Sequence, residues 1–226
     1  MIVSANGVIM HKRIDFQPEQ TLLFIGDSIT DCQRQEAPYA PLGCGYVHFA
    51  ANFLLAARPD LRLTIENRGI GGDSTRDLKW RWNRDCIALE PDIVSIMIGI
   101  NDLWRKYGDS QESLQRHVSP DEYETNYRQI LTHLKDKCRS QLILMEPYMF
   151  CDDPDNPMLR DLDAYIQIVH QMANEFDAVL VPVHANYMAL THKRPADQWA
   201  DDTVHPSTWA HAWIAKQWLD TVMRTD

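Results

Sequence analysis

The chain has 226 residues, of which 45% are hydrophobic and 24% are charged, and its formal net charge at pH 7 is −10. This balance is typical of a globular protein, and at about 150 residues per domain the length predicts a single domain spanning 1–226. The excess of acidic side chains repels phosphate backbones, which argues against nucleic acid as the main partner.

The sequence contains no candidate membrane span and no recognisable export signal. Its longest apolar runs, such as 93–100, fall well short of the about 20 residues that a helix needs to cross a bilayer. The N-terminal residues place basic side chains after a short apolar stretch, without the hydrophobic region of a signal peptide. The five cysteines form no C-x-x-C pair, which is typical of reduced thiols. We therefore expect a cytoplasmic protein with no membrane partner.

Five short runs rich in Ile, Val and Leu alternate with segments of helical periodicity. Runs that are apolar on both faces predict the buried strands of a sheet that is covered on both sides. The predicted strands are residues 21–25, 61–66, 93–98, 141–145 and 178–183. Residues 1–18 are an N-terminal extension ahead of the first predicted strand.

The segments between the predicted strands carry helix signals. One apolar stripe consists of Leu78, Trp82, Cys86 and Leu89. A second stripe, within 162–176, recurs at the helical spacing of about 3.6 residues. Ser119 precedes a proline and stands three residues before Glu122, which predicts a helix that begins with a capping box. A last helix is predicted over 207–223.

Strands and helices that alternate in this way predict a parallel sheet with right-handed crossovers. The predicted fold class is α/β, a three-layer α/β/α arrangement around a five-stranded parallel sheet. Such folds bind ligands at the carboxyl ends of the strands, near the point where the strand order reverses. The residues that follow each strand are therefore the candidates for chemistry.

Four polar segments follow predicted strands or precede the last helix. They read GDSIT at 26–30, GIGGDS at 69–74, GIND at 99–102 and DTVHP at 202–206. Together they supply the hydroxyl, imidazole, carboxylate and amide donors that acyl transfer to a serine requires. Asp202 and His205 are three residues apart, which brings the carboxylate within reach of the imidazole Nδ1.

These four segments, in this order, resemble the blocks of the GDSL-type esterases in the SGNH hydrolase superfamily, named for Ser, Gly, Asn and His. The resemblance implies a flavodoxin-like fold in which Ser28 is the nucleophile, His205 is the general base and Asp202 orients the imidazole. It also implies an oxyanion hole made by the backbone N–H groups of Ser28 and Gly72 and the side-chain amide of Asn101.

The sequence departs from the family pattern next to the predicted acid. Thr203 stands where the family often has glycine, a change that affects the turn but not the spacing between Asp202 and His205. A second acid, Asp201, precedes Asp202, but its separation from His205 is one residue longer than the motif requires. Asp202 is therefore the predicted partner of the imidazole.

A narrower resemblance is carried by LLFIGDSITDC, LGCGYV, STRDLKWRW, PDIVSIMIGINDLWR and WADDTVHPS. These segments together resemble the intracellular acetylxylan esterases, which remove acetyl groups from short sugar chains. The resemblance implies a small O-acyl substrate, an acetylated xylo-oligosaccharide or a similar sugar, and no cofactor. Trp104 and Trp199 each lie three residues from a predicted site residue, so either ring is a candidate to stack on a sugar or to pack in the core.

Several alternatives stay open at this point. Lysophospholipase, thioesterase and arylesterase activities occur in the same family. A nucleotide-binding loop would need a glycine where Ser74 stands. A metallophosphatase would need paired His ligands that the sequence lacks, so no metal site is expected. Asp27 and Asp102 are expected to accept backbone N–H groups. Exposed aromatic residues and the N-terminal extension lead us to expect a homo-oligomer.

Overall fold

The computed structural model describes residues 2–3, 9–10 and 13–223. Its strands are β1 (Ile2–Val3), β2 (Ile9–Met10), β3 (Thr21–Gly26), β4 (Thr64–Gly69), β5 (Ile93–Met97), β6 (Gln141–Met145) and β7 (Val179–Val181). The last five form a parallel sheet in the order β4-β3-β5-β6-β7. The chain thus starts this sheet at β3 and adds strands on either side of it, so the order reverses at the carboxyl end of β3.

Helices cover both faces of this sheet. They are α1 (Ser28–Asp31), α2 (Tyr46–Ala57), α3 (Thr75–Asp85), α4 (Ile100–Trp104), α5 (Gln111–Arg116), α6 (Pro120–Lys137), α7 (Pro157–Glu175), α8 (Val183–Met188) and α9 (Thr208–Val222). Helix α2 packs against α9, and α6 packs against both α3 and α7. The predicted three-layer α/β/α fold is confirmed.

The core lies between the sheet and these helix pairs. On one side, the ring of Phe24 in β3 contacts Tyr46 of α2 and Trp218 of α9, at centroid distances of 6.0 and 5.1 Å. Elsewhere in the core, Tyr123 of α6 contacts Tyr165 of α7 at 5.1 Å. Each of these rings is at most 1% exposed. Burial of one such side chain stabilises the fold by roughly 1.5–3 kcal/mol.

The second strand of the parallel sheet differs from the prediction. It covers Thr64–Gly69, whereas the apolar pattern predicts 61–66. Leu61 is buried, but it ends a short 3-10 turn, and Arg62 takes a left-handed conformation that separates this turn from the strand. The strand continues through polar residues because β4 is an edge strand, where one side of the ladder is open. Its last residues lead directly into the loop that begins at Ile70.

The N-terminal extension and the start of α6 can be compared with their predictions. The predicted extension, 1–18, lies partly outside the described residues, and within it β1 and β2 pair antiparallel. The predicted capping box at Ser119 is only half formed. Ser119 accepts a hydrogen bond from the Glu122 N–H, but the Glu122 carboxylate binds the Arg76 guanidinium at 2.8 Å instead of turning back.

The composition-based expectations can also be compared with the structure. Among the described residues, no helix is both long and apolar enough to cross a membrane. All five cysteines are free thiols, as the absence of C-x-x-C pairs predicts. The sulfur atoms of Cys32 and Cys44 are 3.5 Å apart without forming a disulfide.

Candidate active site

Ser28 lies where the central strand turns directly into a helix. β3 ends at Gly26, Asp27 caps α1, and Ser28 is the first helical residue. The Asp27 carboxylate accepts a hydrogen bond of 3.0 Å from the Ile29 N–H, which fixes this sharp turn. Ser28 is half-buried, so its hydroxyl is held at the carboxyl edge of the sheet, at the point where the strand order reverses.

The imidazole and carboxylate reach Ser28 from the far end of the chain. Nε2 of His205 lies 2.9 Å from Oγ of Ser28, and Nδ1 lies 2.6 Å from Oδ2 of Asp202. The other carboxylate oxygen of Asp202 accepts the N–H groups of Val204 and His205, at 3.0 and 2.7 Å. Partial burial acts to raise the pKa of Asp202, but these hydrogen bonds outweigh it and lower the pKa. The carboxylate is therefore held in its ionised form against the ring.

The backbone conformation at Thr203 is one that favours glycine. Its φ of +69° lies in the left-handed region, which is costly for a β-branched residue. Such a conformation is worth about 1–3 kcal/mol of strain. The Thr203 carbonyl accepts the Phe150 N–H at 2.7 Å, which anchors the turn to the segment after β6. The spacing between Asp202 and His205 is thus kept despite the substitution.

A glycine loop and an asparagine complete the surroundings of Ser28. A Cβ built on Gly71 would lie 3.8 Å from the Cβ of Ser28, so the loop after β4 passes beside the hydroxyl. Gly72 has a φ of +81°, a conformation that favours glycine. Asn101, in the first turn of α4, donates from Nδ2 to the Asp73 carbonyl at 3.1 Å. Because an amide nitrogen carries two hydrogens, a second donor is left for a substrate oxygen.

The two candidate tryptophans have different environments. Trp104 is half-buried, and its ring centroid is 5.8 Å from that of His205. Trp199 is 3% exposed and packs against the rings of Phe150, Tyr187, Trp209 and Trp213. With its faces and edges occupied by other rings, Trp199 packs within the fold. Of the two alternatives that the sequence left open for Trp199, its surroundings match packing in the core.

Asp27 and Asp102 have the structural surroundings expected of them. Both are buried, and burial raises the pKa of each to about 7 although backbone N–H groups donate to them. Asp102 accepts from the N–H and the hydroxyl of Thr75, the first residue of α3. It thereby joins the start of α3, which follows the loop that contains Gly72, to the start of α4.

Sequence reasoning missed two arginines that contact the glycine loop. Nη2 of Arg105 lies 3.5 Å from the Gly72 carbonyl. Arg81 is buried and forms an ion pair of 2.6 Å with Asp73. One signal was available, because Arg81 and Asp85 share a helical face with the buried Leu78. A charged pair at core-facing positions of a helix indicates a specific structural role.

The described residues contain no group of three or more His, Cys, Asp or Glu side chains that could hold a metal ion. What the site does hold is a hydroxyl, an imidazole that can take its proton, a carboxylate behind the imidazole, and amide donors nearby. This arrangement can carry out acyl transfer through a serine.

Comparison with known proteins gives the same answer. The sequence model of the GDSL-like Lipase/Acylhydrolase family matches residues 24–213, which include all four polar segments. The chain belongs to this family. The GDSL family membership confirms the resemblance that the four segments predict.

Individual GDSL relatives are similar over most of the chain. An acetylxylan esterase of Geobacillus stearothermophilus is 40% identical over 204 residues, which cover 88% of this chain and 92% of that protein. Its crystal structure superposes with a TM-score of 0.87 and covers 94% of this chain and 98% of that one. A thioesterase, protease and lysophospholipase of Escherichia coli is 28% identical over 202 residues, covering 87% of this chain and 82% of that protein. This GDSL-family protein is a carboxylic ester hydrolase, and the nucleotide-binding and metallophosphatase alternatives are not favoured.

Proposed function

We propose that this GDSL-family esterase hydrolyses acetyl esters of short xylo-oligosaccharides or similar sugars, with Ser28, His205 and Asp202 as its catalytic triad. The observation that carries the proposal is the unbroken hydrogen-bond chain from Oγ of Ser28 through the His205 ring to Asp202. The Geobacillus esterase supports it, because structures of its catalytic mutants replace a serine, an aspartate or a histidine.

The first half of the reaction follows from this chain. As Oγ of Ser28 attacks the ester carbonyl carbon, Nε2 of His205 takes the hydroxyl proton, and Asp202 stabilises the imidazolium that results. The carbonyl π electrons move to oxygen, which becomes the oxyanion of a tetrahedral intermediate. When this intermediate collapses, His205 returns the proton to the departing sugar oxygen, and the acetyl group stays on Ser28.

The second half repeats these steps with water as the nucleophile. His205 accepts a proton from the water as the water oxygen attacks the acetyl carbon, and it returns that proton to Oγ of Ser28 as the acetyl–serine bond breaks. Acetic acid is released, ionises to acetate, and leaves the free serine hydroxyl. Both tetrahedral intermediates carry their negative charge at the same oxygen. We assign its stabilisation to the N–H groups of Ser28 and Gly72 and to the free amide hydrogen of Asn101, donors that act most strongly where charge develops.

Trp104 is the side chain that we assign to the sugar. It stands beside the imidazole that protonates the leaving alcohol, and an apolar ring face there can stack on the pyranose that carries the ester. The name of the Geobacillus relative supports a carbohydrate acetyl ester. The Escherichia coli relative keeps thioesters and lysophospholipids as the second candidate class.

The substrate test compares kcat/KM on acetyl and octanoyl esters of one alcohol, and then on acetylated xylobiose. A closed acyl pocket discriminates by about 1–3 kcal/mol for each misplaced methylene, so the acetyl ester should be strongly preferred. Trp104→Ala should raise KM for acetylated xylobiose more than for a small aryl acetate. Trp80→Ala is the matched control, because that ring is 83% exposed and lies on α3.

Preference for the octanoyl ester would contradict the acetyl assignment. Cleavage of a lysophospholipid or thioester with the acetylated sugar left untouched would move the substrate to the second class without altering the triad. An equal effect of Trp104→Ala on the sugar ester and the aryl ester would show that the ring does not contact the sugar.

We also propose that the enzyme works in the cytoplasm as a homo-oligomer. Five free cysteines suit a reducing compartment. Phe53 and Leu114 are 60% and 51% exposed, and large exposed apolar side chains are common where subunits meet. Cell fractionation and light scattering test the two statements separately. Release of the enzyme with periplasmic or secreted proteins contradicts the cytoplasmic location. A monomeric mass in light scattering contradicts the homo-oligomer.

A further inference from the structure

Arg81 is a charged side chain enclosed within the fold next to the glycine loop. It lies on α3, and its side chain is 2% exposed. An ionised group in such a place is costly unless hydrogen bonds and opposite charges surround it. Arg81 meets that requirement in a particular way, because each of its three guanidinium nitrogens binds a different part of the chain.

Two of these nitrogens bind the ends of neighbouring strands. Nη2 donates to the Gly26 carbonyl at 2.9 Å, and Nη1 donates to the Arg68 carbonyl at 2.7 Å. Gly26 is the last residue of β3, two positions before Ser28, and Arg68 is the second-to-last residue of β4, just before the glycine loop. One rigid planar group therefore fixes the start of the loop relative to the strand that carries the nucleophile.

The third nitrogen holds the far end of the same loop. Nε donates to Oδ2 of Asp73 at 2.6 Å, and Asp73 directly follows Gly72. The Asp73 carbonyl in turn accepts from Nδ2 of Asn101. The loop is thus held at both ends by Arg81 and attached to Asn101 at one end. Asp85 completes the set by accepting from Nη1 at 3.2 Å.

We propose that Arg81 is a positioning residue for ester hydrolysis, holding the loop of residues 70–73 so that the Gly72 N–H faces the oxygen bound beside Ser28. The inference rests on the proposed function, since it assigns the oxyanion to that place. Oxyanion donors act only at a defined distance from the developing charge, and a misplacement of about 1 Å can cost about 10²-fold in rate. The planar fork matters because a lysine ammonium cannot reach all four acceptors at once.

The test compares Arg81→Lys with Arg84→Met. Arg84 lies on the same helix and also binds Asp85, but its side chain is 64% exposed. For Arg81→Lys we expect a kcat lower by about 10²-fold with KM close to wild type. The affinity for a methylboronic acid, which forms a tetrahedral adduct on the serine, should fall in parallel. Arg84→Met should leave kcat, KM and boronic acid affinity near their wild-type values.

A purely structural role would give a different result. If Arg81→Lys is folded and has wild-type kcat and boronic acid affinity, with only a lower Tm, the proposal is wrong. It is also wrong if the variant raises KM alone, because then Arg81 affects substrate binding. Should Arg81→Lys fail to fold, Asp73→Ala decides, since it releases only the far end of the loop. A lower kcat at unchanged KM supports the proposal, and wild-type kcat overturns it.

Ser28→Ala, measured on the same ester, separates this inference from the proposed function. Loss of activity in Ser28→Ala with full activity in the Arg81 and Asp73 variants overturns the positioning role alone. Retention of activity in Ser28→Ala overturns the serine mechanism itself. The comparison can use any acyl ester that the wild-type enzyme cleaves, so it does not depend on the sugar assignment.

Discussion

The two nitrogens of His205 have different partners, and this fixes where its proton lies. An ionised carboxylate can only accept hydrogen bonds, so Nδ1, at 2.6 Å from Asp202, carries the hydrogen of the neutral ring. Nε2 is then the acceptor that faces Oγ of Ser28 at 2.9 Å. In the proposed mechanism, the contact between Nδ1 and Asp202 orients the ring for proton transfer in both halves of the reaction.

Asp202→Asn tests this assignment. The asparagine Oδ1 can still accept the N–H groups of Val204 and His205, so the turn should keep its shape. Its amide N–H, however, would donate to Nδ1 and place the ring hydrogen on Nε2, where it blocks the serine proton. We expect kcat to fall by about 10⁴ with little change in Tm. Asp201→Asn is the matched control, and greater damage from Asp201→Asn would identify Asp201 as the acid.

Asn101→Ala tests the proposed role of Asn101 as the side-chain donor of the oxyanion hole. Its loss should lower kcat by about 10²–10³ because the missing hydrogen bond strengthens only as negative charge develops. Steady-state kinetics on an acetyl ester measures the effect, with circular dichroism as the check on folding. A change confined to KM would show that Asn101 binds substrate without stabilising the transition state.

At the residue scale, sequence could indicate the groups that stand in short contiguous segments. Ser28, Asn101 and His205 each follow a strand or precede a helix, so their types and order were readable, and the structure brings Ser28, His205 and Asp202 into one hydrogen-bonded chain. The Arg81 contacts were not readable. They join α3 to carbonyls of β3 and β4 and depend on the packing of a helix over two strand ends.

At the scale of elements, the start of α3 determines where the glycine loop ends. Ser74 accepts from the Asp77 N–H, and the Asp77 carboxylate accepts from the Ser74 N–H at 2.9 Å. This reciprocal pair is a complete capping box. The sequence predicts such a box for α6, where only half of it forms. The complete box begins α3 directly after Asp73, so the loop between β4 and α3 is short.

A serine-to-alanine substitution should lower the free energy of unfolding by different amounts at the two helix caps. Ser74→Ala should lower the free energy of unfolding by about 1–2 kcal/mol, since the buried Ser74 hydroxyl accepts from the Asp77 N–H and donates to the Asp77 carboxylate, and both bonds are lost. Ser119→Ala should cost less, because Ser119 is exposed and its hydroxyl makes one capping hydrogen bond, from the Glu122 N–H, whereas the Ser74 hydroxyl also donates to the Asp77 carboxylate at 2.7 Å. Urea unfolding of the two variants makes the comparison. Equal costs, or a larger cost at Ser119, would contradict the capping account.

The strands show where sequence patterns stop being informative. The interior strands β5 and β6 match their predicted starts at Ile93 and Gln141 because continuous apolar runs are what a buried strand requires. The edge strand β4 is displaced by three residues, since its own residues are mostly polar and the apolar Leu61 before it belongs to a turn. Asn67 donates to the carbonyls of Thr30 and Leu42. It belongs to β4 but lies beyond the predicted end of that strand at residue 66.

At the scale of the whole molecule, buried carboxyl groups link stability to pH. Burial raises the pKa of Asp27 from its ordinary value of 3.8 to about 7. The folded protein therefore keeps a proton that the unfolded chain releases above about pH 4. The stability that this group contributes is fully present below about pH 4 and is lost as the pH rises through about 7.

Asp27→Asn should remove this dependence. An asparagine can accept the Ile29 N–H in the same way but cannot ionise. Relative to wild type, the variant should gain stability between about pH 4 and about pH 7 and keep a constant advantage above that range. Urea unfolding at several pH values measures the difference, with Asp197→Asn, at an exposed position, as the control. A pH-independent difference would show that the Asp27 carboxyl is not the group concerned.

The most direct test of the serine mechanism is to trap the acyl-enzyme. The protein is mixed with an aryl acetate, quenched with acid during turnover, digested, and examined by mass spectrometry. We predict one acetyl group on the peptide that contains Ser28, none in Ser28→Ala, and loss of turnover in that variant. Acetylation at a different residue during turnover, or continued turnover by Ser28→Ala, would contradict the account.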